Sequence, residues 1–213
     1  EFISTTGTVK ATSEVVVNSE MTGEYYLQKN PSTGRPYKLG DRISKGQTVV
    51  KFENEEYKNN LGIDAVKLNL EISEQEYEKQ KSLYEKGGVT LRELRNSEVS
   101  KTNAKYNYEN ALIQLEKMNV TAPFSGIIVE LPYYTQSTRV TSGSHIFSLM
   151  SYSSMYMNIN LPEKNIGEVK LNQEVLITNY TLPEDTLSGK VTELSPAISS
   201  ETRTFMGKIE IQN

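Results

Sequence analysis

The sequence predicts a mainly β, elongated chain interrupted by a long α-helical hairpin and followed by a small β-barrel. Three observations carry that expectation. A short motif occurs twice, "ISKGQTVVKF" from Ile43 and "VTSGSHIFSL" from Val140. Between the copies, from Glu55 to Met118, runs a charged, proline-free stretch with apolar residues at helical spacing. From about Met155, short strand-like segments spaced by turns replace both textures.

The first segments, "GTVKA", "EVVVN", "GEYYL" and "TVVKFE", are β-branched or aromatic runs punctuated by glycine, which reads as strand. Between Tyr26 and Arg42 lies "LQKNPSTGRPYKLGD", whose Pro, Gly, Asn and Ser content reads as an extended surface loop. The repeat extends beyond the motif. Val17 precedes Gly23 as Val120 precedes Gly126, Met21 matches Phe124, and "EYYL" matches "IIVEL". The copies then differ by six residues, all within the Pro/Gly loop, before resuming at Ile43 and Val140. Two half-motifs, each too small to bury a face alone, should pair around a pseudo-twofold into one β module at 11–54 plus 119–152. On this view loop 27–41 is peripheral, and shortening it to a tight turn should leave the fold intact.

Residues 55–118 form the insertion. Ala104, Tyr108, Ala111, Leu115 and Met118 recur at steps of four and three, a heptad seam that Leu94 and Leu112 extend. Tyr57, Leu61, Ala65, Leu68 and Ile72 offer similar spacing in the first half. Gly87 and Gly88 interrupt the run, and each would cost about 1 kcal/mol inside a helix. The expected structure is an antiparallel coiled-coil hairpin whose arms of roughly 28 residues extend about 42 Å. Toward the turn the seam positions become polar, with Gln75 and Lys79 on one arm and Ser97 and Lys101 on the other. Such a stretch is either solvated or stabilised by contacts with other chains. Residues 1–10 plus 153–213 make the third unit, through "MYMNINLP", "EVLITNY", "LSGKVTELSP" and "RTFMGKIEIQN".

Composition narrows the functions. The chain has 213 residues and 23 Lys plus Arg against 27 Asp plus Glu, for a net charge of −4. That argues against a nucleic-acid partner, which calls for a concentrated basic face. There is no cysteine, hence no disulfide or thiolate metal site. No apolar run is long enough to span a bilayer, and "EFISTTG" is unlike a signal peptide. His145, the one histidine, cannot build a triad or metal site alone. Met150, Met155 and Met157 lie close together and read as core or interface. Glu55-Glu56 and Glu184-Asp185 read as solvated surface. "KGGVT" and "TSGSH" lack the context of a phosphate loop. No catalytic, cofactor or metal residue is expected.

The ordered set of segments resembles the periplasmic adaptor subunits (membrane fusion proteins) of Gram-negative tripartite efflux pumps, most of all the RND type. "RISKGQTVVKFENEEYKNNL" resembles the exit from a lipoyl-like domain into the first helix of such a hairpin. "VTAPFSGIIVEL" resembles the re-entry after the second helix, and "LSGKVTELSPAISSETRTFMGKIEIQN" resembles the barrel strands. The resemblance implies no enzyme and no cofactor. It implies a ring, of six copies by analogy, joining an inner-membrane transporter to a TolC-like outer-membrane channel. It also implies periplasmic placement, an anchor and a membrane-proximal domain outside this sequence, and further barrel strands. A swinging lysine cofactor is not expected, because the hairpin occupies the turn that would carry it.

The same resemblance makes the tip the docking site, with Leu83, Gly87, Gly88, Val89, Thr90, Leu91 and Leu94 as candidates. Many members carry Arg, Leu and Ser there at seven-residue spacing. This chain keeps Leu83, has Thr90 for the serine, and places Glu76 where the arginine would be. Two other assemblies suit the architecture: an adaptor of an ABC-type exporter or type I secretion system, and a self-assembling coiled-coil scaffold.

Overall fold

A computed structural model describes residues 3–178 and 186–212. The strands are β1 (Gly7–Asn18), β2 (Gly23–Leu27), β3 (Arg42–Ile43), β4 (Thr48–Glu53), β5 (Asn119–Thr121), β6 (Gly126–Glu130) and β7 (Arg139–Val140). They continue as β8 (His145–Pro162), β9 (Glu174–Thr178), β10 (Thr186–Ile198) and β11 (Thr204–Gln212). Helices α1 (Glu55–Leu61), α2 (Ile63–Glu85) and α3 (Leu91–Glu116) lie between β4 and β5.

The repeated motif builds the same turn twice. Gly46 and Gly143 both adopt left-handed backbone, at φ of 82° and 87°. Each turns its N–H onto the other half of the repeat, Gly46 onto Ala122 O and Gly143 onto Ser19 O. The reciprocal bonds from Ala122 to Gln47 O and from Ser19 to Ser144 O complete the pair. The halves also exchange strands: β3 pairs with β6, and β7 with β2. Neither half can therefore satisfy its backbone alone. Their joint core holds Tyr25, Val49, Val50 and Phe52 from one half and Ile128, Ile146, Phe147 and Leu149 from the other, all fully buried.

Loop 27–41 departs from the expectation of a peripheral insertion. Residues 31–36 are exposed, but Tyr37 is only 2% exposed and belongs to the core cluster. The excursion is pinned at its base by the Lys29–Pro36 bridge and by buried Asn30, whose Oδ1 accepts from Ser32 N. Tyr37 stands to Ile43 as Tyr134 stands to Val140, and Tyr134 packs on Tyr25 with ring centroids 5.2 Å apart. The tyrosine is thus a shared anchor of the repeat; the inserted residues precede it. Its hydroxyl is buried without a hydrogen-bond partner. Burial, and then the nearby Asp41 carboxylate, push its pKa up.

The helical segment also differs from expectation in one arm. Asn54 caps α1 by accepting from Tyr57 N at 3.0 Å, but Gly62 takes φ of 53° and ends the helix after seven residues. The left-handed residue turns α2 out of phase with α1. Instead of Ala65, Leu68 and Ile72, the half-buried α2 positions are Ile63, Val66, Leu70, Ser73, Tyr77 and Gln80. Gln75 and Lys79 are exposed and stand outside the seam. On α3 the expected face holds, with Ala104 and Ala111 buried and Leu94, Tyr108, Leu112 and Leu115 half-buried. The two helices, about 35 and 39 Å long at 1.5 Å per residue, pack antiparallel. Tyr57 Oη at the root donates to Gln114 O at 2.9 Å, and farther out Lys101 Nζ lies 4.5 Å from the Tyr77 ring centroid. The distal seam is polar, though with other members on α2: Ser73 and Gln80 join Ser97 and Lys101. Gln80 Oε1 is buried without a partner. Replacing Gln80 by leucine should therefore stabilise the hairpin by up to about 1 kcal/mol, since removing a buried unsatisfied oxygen outweighs losing the exposed bond from Gln80 Nε2 to Glu76. Amide exchange of α2 measures it.

Strands β1 and β8 run antiparallel from the first module into the second. There Met157, Ile159, Leu161, Val191, Phe205 and Ile209 form a separate core on strands ordered β8-β11-β10-β9. Between the two cores the ladder shifts register: Ala11 pairs with Met155 and Ser13 with Ser151, so Thr12 alone faces three residues of β8.

Candidate docking site at the hairpin tip

The turn joining α2 to α3 is held from both sides. At the end of α2, Lys86 and Gly88 donate their N–H groups to Leu83 O, and Gly87 donates to Tyr84 O. Gly87 supplies the left-handed φ of 74° that this helix ending requires. At the start of α3, Thr90 Oγ1 accepts from Glu93 N, while Thr90 N donates back to Glu93 Oε2 at 2.7 Å, a capping box. Thr90 Oγ1 also donates to Glu93 Oε2. These bonds hold the Glu93 carboxyl below the usual carboxylate range.

The frame presents a small apolar surface. Leu83 and Leu91 are exposed, Leu91 at 53%, and Tyr84 joins them. Val89 is half-buried, and Leu94 turns into the seam, half-buried, so it belongs to the hairpin interior more than to the tip. Thr90 is spent on the cap, and its hydroxyl supports the turn instead of standing free as a contact. Glu76 is engaged within α2, accepting from Gln80 Nε2 and standing 3.5 Å from Lys79 Nζ. Gln80 first, then Lys79, lowers its pKa.

Thr90→Ala should cost about 1 kcal/mol of helix stability at this end. The capping contribution also depends on pH. Because the folded Glu93 carboxyl has a depressed pKa, its stabilisation is full above the unfolded value, about 4.3. It is lost as pH falls through the folded value. Exchange of the amides at 91–94 should therefore show weaker protection, corrected for intrinsic rates, only below about pH 4.

The other chemistry-bearing residues lie far along the chain from the tip. His145 Nε2 is 3.0 Å from Ser148 Oγ, and the Ser148 hydroxyl donates to Glu130 Oε2 at 2.7 Å. Ser148 is buried, and the trio ties β6 to β8 within the first module. Met157 is buried in the second core, while Met150 and Met155 are half-buried on the β1/β8 ladder. Glu55 and Glu56 are exposed in the first turn of α1, where carboxylates favour the helix dipole. Glu184-Asp185 lies outside the described residues. Among those described, no group of three or more His, Asp or Glu could hold a metal ion, and no helix is long and apolar enough to cross a membrane.

The fold is shared with solved membrane fusion proteins. Residues 154–213 match the RND-type, CusB-like β-barrel domain family. A chimera of MacA and MexA carrying the α-hairpin domain of Pseudomonas aeruginosa MexA superposes with a TM-score of 0.70 at 19% identity, over 97% of this chain and 73% of that one. The membrane fusion protein Spr0693 of Streptococcus pneumoniae R6 superposes with a TM-score of 0.67 at 18% identity, over 97% and 92%. A candidate efflux transporter from Bacteroides eggerthii gives 0.72 at 21% identity, over 97% and 60%. In sequence, an uncharacterised protein of Haemophilus influenzae is 23% identical over 216 residues, covering 99% of this chain and 51% of the relative. The chain thus spans about half the length of the curated relative it matches.

Proposed function

We propose that this chain is the core of a periplasmic adaptor in a tripartite efflux pump. It would join an inner-membrane transporter, of the RND type, to a TolC-like outer-membrane channel, and copies would associate into a ring that encloses a conduit. The single observation that carries this reading is the hairpin. Both of its ends are rooted in one β core, and its free end is a doubly capped turn that exposes Leu83, Tyr84 and Leu91. A rigid arm with an apolar end suits docking, not chemistry. The RND-type barrel match over 154–213 favours an RND transporter at the opposite end. In this reading the units are 11–54 plus 119–152 (lipoyl-like), 55–118 (coiled-coil hairpin) and 1–10 plus 153–213 (barrel), and the protein is no enzyme.

The test is a photo-crosslinking residue at Leu91 in the full-length protein, in its native host, with captured partners identified by mass spectrometry. Leu91 is preferable to Thr90, whose replacement would break the cap. Capture of an outer-membrane channel is expected. Capture of other copies alone would instead indicate a self-assembling scaffold.

A further inference from the structure

Residues 29–45 concentrate positive charge in a chain whose net charge is −4. They include five cations, Lys29, Arg35, Lys38, Arg42 and Lys45, against the single carboxylate of Asp41. All five cations are exposed, and none of them forms an ion pair among the described residues. Asp41 is half-buried and already engaged, its Oδ2 accepting from Lys38 N at 3.0 Å. The matching stretch of the second half, 131–142, holds one cation, Arg139. The charge thus belongs to the half that carries the six extra residues.

These cations stand on fixed backbone. Lys38 to Asp41 make a tight turn, closed by the bond from Asp41 N to Lys38 O, with Gly40 at φ of 86°. Gly40 N donates to Ile128 O and Ile128 N to Asp41 O, so the turn is tied to β6. At its corner Leu39 is 66% exposed, with Lys38 before it and Arg42 soon after. Lys29 bridges to Pro36 beneath the loop, and Lys45 N donates to Ser125 Oγ. The whole segment sits at the end of the β module away from the helices. Gln28 N donates to Val49 O at the start of β4, whose other end runs into Asn54, the cap of α1.

An apolar side chain held out among unpaired cations suits one kind of partner. A protein interface draws its energy from aromatic or arginine anchors seated in dry pockets, and this loop exposes no aromatic residue. A soluble anion would leave Leu39 without a role. A lipid surface uses both features: cations meet the anionic headgroups, and the leucine enters the acyl boundary beneath them. We propose that residues 29–45 form a contact surface for a bilayer with anionic headgroups, with Leu39 as the inserted residue. The contact needs neither the channel nor the ring, so it stands apart from docking at the tip.

Vesicle co-sedimentation of the 213-residue chain tests this. At low salt it should bind vesicles of equal parts phosphatidylcholine and phosphatidylglycerol, and not vesicles of phosphatidylcholine alone. Added salt should release it, because headgroup attraction acts only within a Debye length. Each cation near such a surface contributes about fivefold in affinity. Replacing Arg35, Lys38 and Arg42 together by glutamine should therefore weaken binding about a hundredfold. Leu39→Asn should weaken it about tenfold, as expected for partial burial of one leucine. Arg35→Gln alone, at the exposed part of the loop, should still cost about fivefold if the triple variant melts early. Failure to bind the anionic vesicles overturns the proposal. So does undiminished binding by the cation variants, which would place the contact elsewhere. Undiminished binding by Leu39→Asn would leave a site for soluble anions, and sedimentation equally blocked by inorganic phosphate would mean the same.

Discussion

Replacing Tyr37 by alanine should destabilise the β module by about 3–5 kcal/mol, the usual cost of emptying a buried aromatic site. Deleting 31–34, in the same loop, should cost less, about 1–2 kcal/mol, because exposed loop length carries little entropy cost and the chief loss is the bond that buried Asn30 Oδ1 accepts from Ser32 N. The contrast follows from where the loop meets the core. Its tip is solvated, whereas Tyr37 sits among the residues that both halves of the repeat share. Tyr37→Phe separates packing from polarity. It keeps the ring and removes a hydroxyl that is buried without a partner, so it should be neutral or raise stability by about 1 kcal/mol. Urea denaturation of the three variants measures all of this. Near-equal losses from Tyr37→Ala and from the tip deletion would show that the loop acts as one unit.

The second large effect is expected at the tip. Aspartate at both Leu83 and Leu91 should abolish efflux and channel capture while moving the melting temperature by less than about 2 °C. An apolar anchor at the centre of an interface contributes about 2 kcal/mol or more, close to thirtyfold in affinity. Substitutions at exposed positions away from caps usually shift stability by under about 0.5 kcal/mol. Both leucines are exposed, and neither side chain belongs to the bonds that close the turn. Leu94→Asp is the control. It buries a charge in the seam and should lower hairpin stability, so a loss of function there would not report docking. A double variant that unfolds would assign Leu83 and Leu91 to structure instead.

The repeat was legible because it is written in glycines and β-branched residues whose roles are local. The two turns need left-handed backbone, which Gly46 and Gly143 adopt without strain, and the strands around them follow by alternation. The Tyr37 anchor was equally present, standing before Ile43 at the same interval as Tyr134 before Val140, but its Pro/Gly-rich surroundings disguised it as loop. The α2 seam was misplaced for a different reason. Apolar spacing alone cannot register a break, and "NNLGID" contains one: a left-handed glycine after Leu61, with Asp64 in the next first turn. One such residue changes the phase of everything downstream, which is why Leu68 and Ile72 point outward. At the tip, the double glycine located the turn correctly. The Thr-x-x-Glu signature of a capping box from Thr90 to Glu93 was passed over, and with it a hydroxyl already engaged by its own helix. Tyr84 was passed over although it follows Leu83 directly in the last turn of α2.

The offset in the β1/β8 ladder has a mechanical meaning. A continuous two-stranded ribbon resists shear along its length, and it would make barrel and hairpin base one stiff rod. Three residues opposite one interrupt that rod at a single level, where the extra backbone of β8 can take up twist and bend without breaking the hydrogen bonds on either side. An offset of this kind bends its strand and increases its local twist, and this one lies at Thr12 and Tyr152–Ser154, between the two hydrophobic cores.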